Sequence, residues 1–231
     1  MHGFSGKPVL ITGATGALGG AVTRSFVAAD ARVAAVARDW RSKDLVDTQI
    51  LRIEADLTTE GGARRAVEQV AEQLGPVHVL VHLVGGFAGG LSFTETGDDI
   101  WEKMMNLNLR SAIHTMRAAL PVMIRAKFGR VVVAGSRAGV APAANMSAYC
   151  AAKAALHALV QCVAEEVKAD GVTVNAVLPS VIDSPGTRAA MPKADFTKWA
   201  KPESIASAIL WLASEEAADT TGALVPVYGR L

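Results

Sequence analysis

The chain has almost no excess of charge of either sign: 23 Lys and Arg face 22 Asp and Glu, a formal net charge of +1 in 231 residues. That excludes the broad basic face a nucleic acid requires, so the expected partner is a small molecule. Cysteine is nearly absent. Cys150 and Cys162 stand twelve apart without CxxC spacing or a disulfide framework, and both are expected to be buried, reduced thiols, as suits the cytoplasm. No apolar run approaches the roughly 18 residues of a membrane span, and no basic-then-apolar leader precedes the first strand, so no membrane association is expected. His78, His82, His114 and His157 lack carboxylate partners at metal-site spacing and read as packing or capping histidines; no metal is expected. No Pro/Gly/Ser-rich linker or internal repeat divides the sequence, which makes 1–231 one domain. Apolar residues, by contrast, are plentiful at 51%, ample for a substantial core.

Short β-rich apolar runs alternate with stretches of helical period, the pattern of an α/β fold with a doubly wound parallel sheet. Strands are predicted near 8–12, 32–37, 50–55, 77–84, 130–135, 172–178 and 223–227. Leu18, Val22, Phe26 and Ala29 form one helical stripe, and Ala63, Val67, Val70 and Leu74 another. Asp98 and Asp99 open a long helix whose stripe is Trp101, Met105, Leu109 and Ile113, while Pro202 suits the first turn of the last helix. Residues 180–201, rich in Pro and Gly and following a strand end, are expected to form a substrate lid.

The run TGATGALGG at 12–20 joins a strand to an amphipathic helix through bare backbone. Such a turn offers unpaired N–H groups and the positive helix end to an anion such as a pyrophosphate. Gly13 permits the turn, Gly16 the close approach, and Gly19 or Gly20 the helix–strand packing. At the end of the second strand, Arg38 beside Ala37 can pair with a 2′-phosphate, favouring NADP(H) over NAD(H), with Asp39 as a competing ribose ligand. Asp56 is placed either to accept from an adenine amino group or to cap a helix. Tyr149 and Lys153 stand four apart and share a helix face, where the ammonium is expected to lower the phenol pKa. Ser136, at the end of the fifth strand, can meet them at the carboxyl edge of the sheet.

In order, TGATGALG, Asp56, Asn108 in MNLNL, Ser136, YCAAK and LPSVIDSP resemble the short-chain dehydrogenase/reductase family over essentially the whole chain. The resemblance implies a Rossmann-type, three-layer αβα fold with a seven-stranded sheet, a nicotinamide cofactor, and hydride transfer to or from a carbonyl or alcohol carbon. In that pattern Tyr149 is the general acid or base, Ser136 polarises the carbonyl, Lys153 holds the nicotinamide ribose, and Asn108 binds a relay water. The implied cofactor set is Gly13, Thr15, Gly16, Ala17, Leu18, Arg38, Asp56, Leu57, Gly85, Tyr149, Lys153, Pro179, Ile182 and Ser184. Homodimers or homotetramers are the family's usual assemblies, and the many-sided apolar helices 98–126 and 146–168 agree with them.

The chain departs from the family pattern in places. The glycine spacing is TGxxGxxG, HLVG at His82–Gly85 replaces the usual NNAG, and Ser180 follows Pro179 where Gly is usual. VGGFAGG (84–90) and MPKADFTKW (191–199) are similar to segments of the family's dihydropteridine reductases, but those use NADH and lack the catalytic serine. The expected activity is therefore NADPH-dependent carbonyl reduction, with quinonoid dihydropterin reduction second. A non-catalytic NADP-binding sensor is the alternative of another class, disfavoured because Ser136, Tyr149 and Lys153 are all present.

Overall fold

Runs such as PVLIT and RVAAVA bury every residue after the first, which suits strands covered on both faces. The computed structural model describes residues 3–40 and 49–231. In it, β1 (Pro8–Thr12), β2 (Arg32–Ala37), β3 (Leu51–Glu54), β4 (Val79–His82), β5 (Gly129–Ala134), β6 (Val172–Pro179) and β7 (Leu224–Val227) form one sheet. Their order is β3-β2-β1-β4-β5-β6-β7, with every neighbouring pair parallel. All strand carboxyl ends therefore share one edge, and the order reverses between β1 and β4, where a crevice opens.

The helices are α1 (Gly19–Ala28), α2 (Glu60–Gln73), α3 (Asp98–Met105), α4 (Ser111–Ala126), α5 (Ser147–Val167), α6 (Pro185–Ala190) and α7 (Pro202–Ala213). Strand side chains alternate between faces. Val9, Ile11, Val33, Ala35 and Val132 pack on α1 and α7 through Val22, Phe26, Ile205 and Ile209. Leu10, Val36, Leu80, Val131 and Val174 pack on α2, α4 and α5 through Val67, Met116 and Val160. Each wholly buried side chain of this kind, Phe26 among them, contributes about 1.5–3 kcal/mol. This is the doubly wound parallel sheet that the sequence pattern predicts and the Rossmann-type αβα arrangement that the family resemblance implies.

Two details differ from expectation. The helix opened by Asp98 is interrupted by a π-turn over Asn106–Arg110, and its buried face is Met104, Asn108, Ala112, Thr115, Met116, Ala119 and Met123. The Trp101–Ile113 stripe is only half-buried. A wide turn adds a residue to the helical count, and the helix is apolar on several sides, so strict spacing of four picks the neighbouring face. Of the two free thiols, Cys150 is buried as expected, but Cys162 lies exposed on α5. Segment 180–201 is structured: Ile182 bridges Ala200 in parallel, α6 lies between them, and buried Trp199 and Ala200 anchor the far end.

Candidate active site

The turn between β1 and α1 is wound by hydrogen bonds from Gly16 N–H to Gly13 O (3.0 Å) and from Gly19 N–H to Gly16 O (3.1 Å). Gly13 has φ +67°, and a Cβ there would lie 2.9 Å from the Leu83 carbonyl carbon. A Cβ on Gly19 would fall 2.3 Å from Ala14 O, so Gly19 is where helix and turn touch. No side chain caps α1 at Leu18, which is buried, while Thr15, Gly16 and Ala17 are exposed. The first-turn amides and the positive end of the helix therefore face outward.

Across the crevice, the end of β4 is tied down by polar groups. His82 is buried, its Nδ1 3.0 Å from Thr12 Oγ1 and its Nε2 3.2 Å from Ser111 Oγ. Ser111 donates to Leu107 O and Thr12 Oγ1 accepts Leu83 N–H, so Nε2 carries the ring proton and Nδ1 accepts. Burial first, and Lys153 second, lower the His82 pKa to about 3, keeping the ring neutral. The imidazole thus fills the place of the family's usual asparagine as a strut from the glycine turn to the start of α4.

Asn108, in the π-turn, is fully buried. Its Nδ2 donates to Gly86 O and Met104 O, both at 3.0 Å, and its Oδ1 accepts Gly86 N–H at 3.1 Å. Its side chain is thereby committed to backbone, which makes it a clamp on the 85–86 segment. A Cβ on Gly85 would sit 2.9 Å from Asn108 Oδ1 and 3.3 Å from Lys153 Nζ, so only glycine leaves both groups in place.

Ser136 follows β5 by two residues in extended backbone, and its Oγ accepts Ala138 N–H at 3.2 Å. Tyr149 and Lys153 lie one turn apart on α5. Lys153 is 4% exposed; its ammonium donates to Ala134 O at 2.9 Å, and burial lowers its pKa to about 8. Burial raises the phenol pKa of Tyr149, opposed by a hydrogen bond with Ser136, with a small further rise from Cys150. The expected lowering by Lys153 is not found: the lysine is spent on the Ala134 carbonyl, and desolvation governs the phenol. Ser136, Tyr149 and Lys153 are nonetheless brought together at one strand end, as their spacing suggested.

The short chain dehydrogenase family model matches residues 7–195. The chain belongs to the short-chain dehydrogenase family. It is similar to the 3-oxoacyl-(acyl-carrier-protein) reductase MabA of Mycobacterium bovis, 31% identical over 99% of this chain and 94% of that protein. The meso-2,3-butanediol dehydrogenase of Serratia marcescens is 30% identical over 98% of this chain and 94% of its own. A crystal structure of a short-chain dehydrogenase/reductase family oxidoreductase from Burkholderia thailandensis matches with a TM-score of 0.86 and 32% identity, covering 96% of this chain and 91% of that one.

The remaining residues of this short-chain dehydrogenase fit the nicotinamide dinucleotide that the family binds. Arg38 is exposed at the end of β2, with Asp39 exposed beside it, and it adds to the forces acting on Asp56. The Asp56 carboxyl is held below its usual range chiefly by the hydroxyl and amide of Thr58, which both bond Oδ1. The helix cap itself is Thr59, which accepts Gly62 N–H at 3.1 Å. Leu57 is buried beneath. Beyond Pro179, the last residue of β6, Ile182 N–H has no acceptor among the described residues. Ser184 instead caps α6, its Oγ accepting Thr187 N–H, while Thr187 Oγ1 donates to Ile182 O at 2.6 Å.

Sequence reasoning passed over Thr187, and it read His82 and His157 as packing or capping histidines without naming the partners that the structure gives them. The His157 Nε2 accepts Ser136 N–H at 3.2 Å. Its one sequence signal is position, four beyond Lys153 and eight beyond Tyr149 on one helix. Above the phenol, Phe87 meets the Tyr149 ring edge-on at 5.1 Å and is 64% exposed. A separate cavity of about 730 Å³, lined by Asp183, Arg188, Phe196, Trp199, Lys201 and Arg230, lies apart from Ser136 and Tyr149. No helix among the described residues is long and apolar enough to cross a membrane.

Proposed function

We propose that the protein is a carbonyl reductase that uses NADP(H) in preference to NAD(H). The carrying observation is the convergence of Ser136, Tyr149 and Lys153 at the β5–α5 junction, below the bare Cα of Gly85. The nicotinamide, when bound, supplies the hydride. Thr15, Gly16, Ala17 and Leu18 would hold the pyrophosphate at the α1 N-terminus; Asp56 and Leu57 would hold the adenine, with Arg38 on a 2′-phosphate. Gly85, Pro179, Ile182 and Ser184 would border the nicotinamide, and segment 180–201 would close over the substrate.

Ser136 and Tyr149 donate hydrogen bonds to the substrate carbonyl as negative charge develops on its oxygen. A phenol pKa raised by burial keeps Tyr149 protonated at neutral pH, as a general acid for reduction needs. The phenol proton passes to the carbonyl oxygen, and the hydrogen bond with Ser136, which opposes the rise in the phenol pKa, stabilises the phenolate left behind, while Lys153 would hold the nicotinamide ribose. Asn108 keeps Gly85 and Gly86 in place, and a relay water would reach it through its remaining lone pair or its backbone.

The relatives act on different compounds, as their names state, so the substrate remains to be read from this chain. The exposed Phe87 ring beside the phenol favours a flat molecule, which gives quinonoid dihydropterin as a second reading. The test is a panel of ketones, aldehydes, quinones and quinonoid dihydropterin with NADPH and NADH in parallel, run beside Tyr149→Phe. That variant should bind cofactor normally and lose roughly 10²- to 10⁴-fold in turnover. An unchanged rate refutes the role of Tyr149, and cofactor binding without turnover of any compound favours a sensor.

A further inference from the structure

The row on α5 that begins with Tyr149 and Lys153 continues to a third residue. His157 lies one turn beyond Lys153, is 3% exposed, and accepts the Ser136 backbone N–H at 3.2 Å. The three residues of the row therefore all engage the end of β5: Tyr149 at the Ser136 side chain, Lys153 at Ala134 O, and His157 at Ser136 N. The chain on either side makes room for the ring. A Cβ on Gly135 would lie 2.5 Å from His157 Nε2, and one on Gly139 2.5 Å from Cε1.

Because Nε2 accepts a backbone N–H, the ring is neutral and its proton sits on Nδ1. That Nδ1 is buried and has no partner among the described residues. A ring kept only for packing would be better replaced by an apolar side chain of the same size, since a buried unpartnered donor is costly. Burial first and the Lys153 charge second lower the His157 pKa to about 4, so the acceptor persists across the neutral range.

We propose that His157 is a positioning residue for Ser136: by accepting its N–H it fixes the extended backbone that aims the hydroxyl at the Tyr149 phenol and the substrate oxygen. This rests on the catalytic reading of Ser136 and Tyr149 given above. The side chain is buried and acts through Ser136.

The test compares His157→Leu, which keeps volume but offers no acceptor, with His157→Gln, whose Oε1 can take over the bond. Both are assayed with the best carbonyl substrate, next to wild type and Tyr149→Phe. His157→Leu should lower kcat by roughly 10- to 100-fold, as small misplacements of reacting groups do, while the cofactor Kd from fluorescence titration stays within about two-fold. His157→Gln should recover most of the loss. In a Ser136→Ala background, His157→Leu should have no further effect on kcat, an outcome that a general loss of stability would not give. If His157→Leu fails to fold, Gly135→Ala, which brings a methyl against Nε2, should lower kcat with cofactor Kd unchanged. The proposal is overturned if Leu turns over like wild type, if Gln and Leu are equally impaired, or if the Ser136→Ala background leaves the effect intact. Should Tyr149→Phe retain full activity, the catalytic reading falls first.

Discussion

Lys153→Met should make the ligand-free protein's stability less dependent on pH. The Lys153 pKa falls from 10.5 to about 8 because the ammonium is buried. While both folded and unfolded lysines are charged, that gap is a penalty of about 3 kcal/mol on the folded state. The penalty is full below the folded pKa and is relieved as pH rises through 8 toward 10.5, because the unfolded chain then binds the extra proton. Between pH 7 and pH 9.5, wild type should gain about 2 kcal/mol relative to Lys153→Met. In melting temperature this is roughly 4–8 °C for a chain of this size. Methionine also removes the donor to Ala134 O, but that loss is the same at both pH values and cancels from the comparison. The assay is urea unfolding of both proteins, without cofactor, at the two pH values; taking the difference removes the titration of every other group. A stability difference that stays constant would mean that Lys153 has a normal pKa and that its charge is solvated in the folded protein.

Arg38→Asp should shift preference toward NADH by roughly ten- to a hundred-fold in the ratio of kcat/KM values, the worth of one charge-assisted contact to phosphate. A variant still favouring NADPH would remove Arg38 from the phosphate. Gly85→Ala places a methyl 2.9 Å from Asn108 Oδ1 and 3.3 Å from Lys153 Nζ, so it should cost about 1–3 kcal/mol in urea unfolding and weaken cofactor binding. Wild-type values in both measurements would show that the 85–86 segment yields freely.

The strands were legible because a parallel sheet buried on both faces needs short unbroken apolar runs, and the punctuation around VLIT or VTVNAVLP leaves little freedom in placing them. Ser136, Tyr149 and Lys153 were legible because spacing along one helix and one strand end survives folding unchanged. His82 and His157 were not. Each finds its partners across the sheet or on a neighbouring element, and sequence spacing does not say which backbone N–H or hydroxyl will stand opposite a ring nitrogen. The phenol pKa went astray for a related reason: proximity of Lys153 along the helix was legible, but the competing acceptor at Ala134 was not. The half-buried Trp101 stripe reflects the π-turn, which no periodicity count includes.

That π-turn makes α3 and α4 a single rod with two different obligations. On its first half Met104 sits against Ala148 and Ala152 of α5, and on its second Ala112, Met116 and Met123 sit against the sheet and α2. One unbroken stripe could not meet both, and the wide turn resets the phase between them. Loss of one residue from 106–110 would straighten the wide turn into a regular one and take Asn108, which the turn carries, away from Gly86. Insertions and deletions among relatives should collect in the approach at 91–97, where most residues are exposed and an added one leaves Phe87 on the Tyr149 ring.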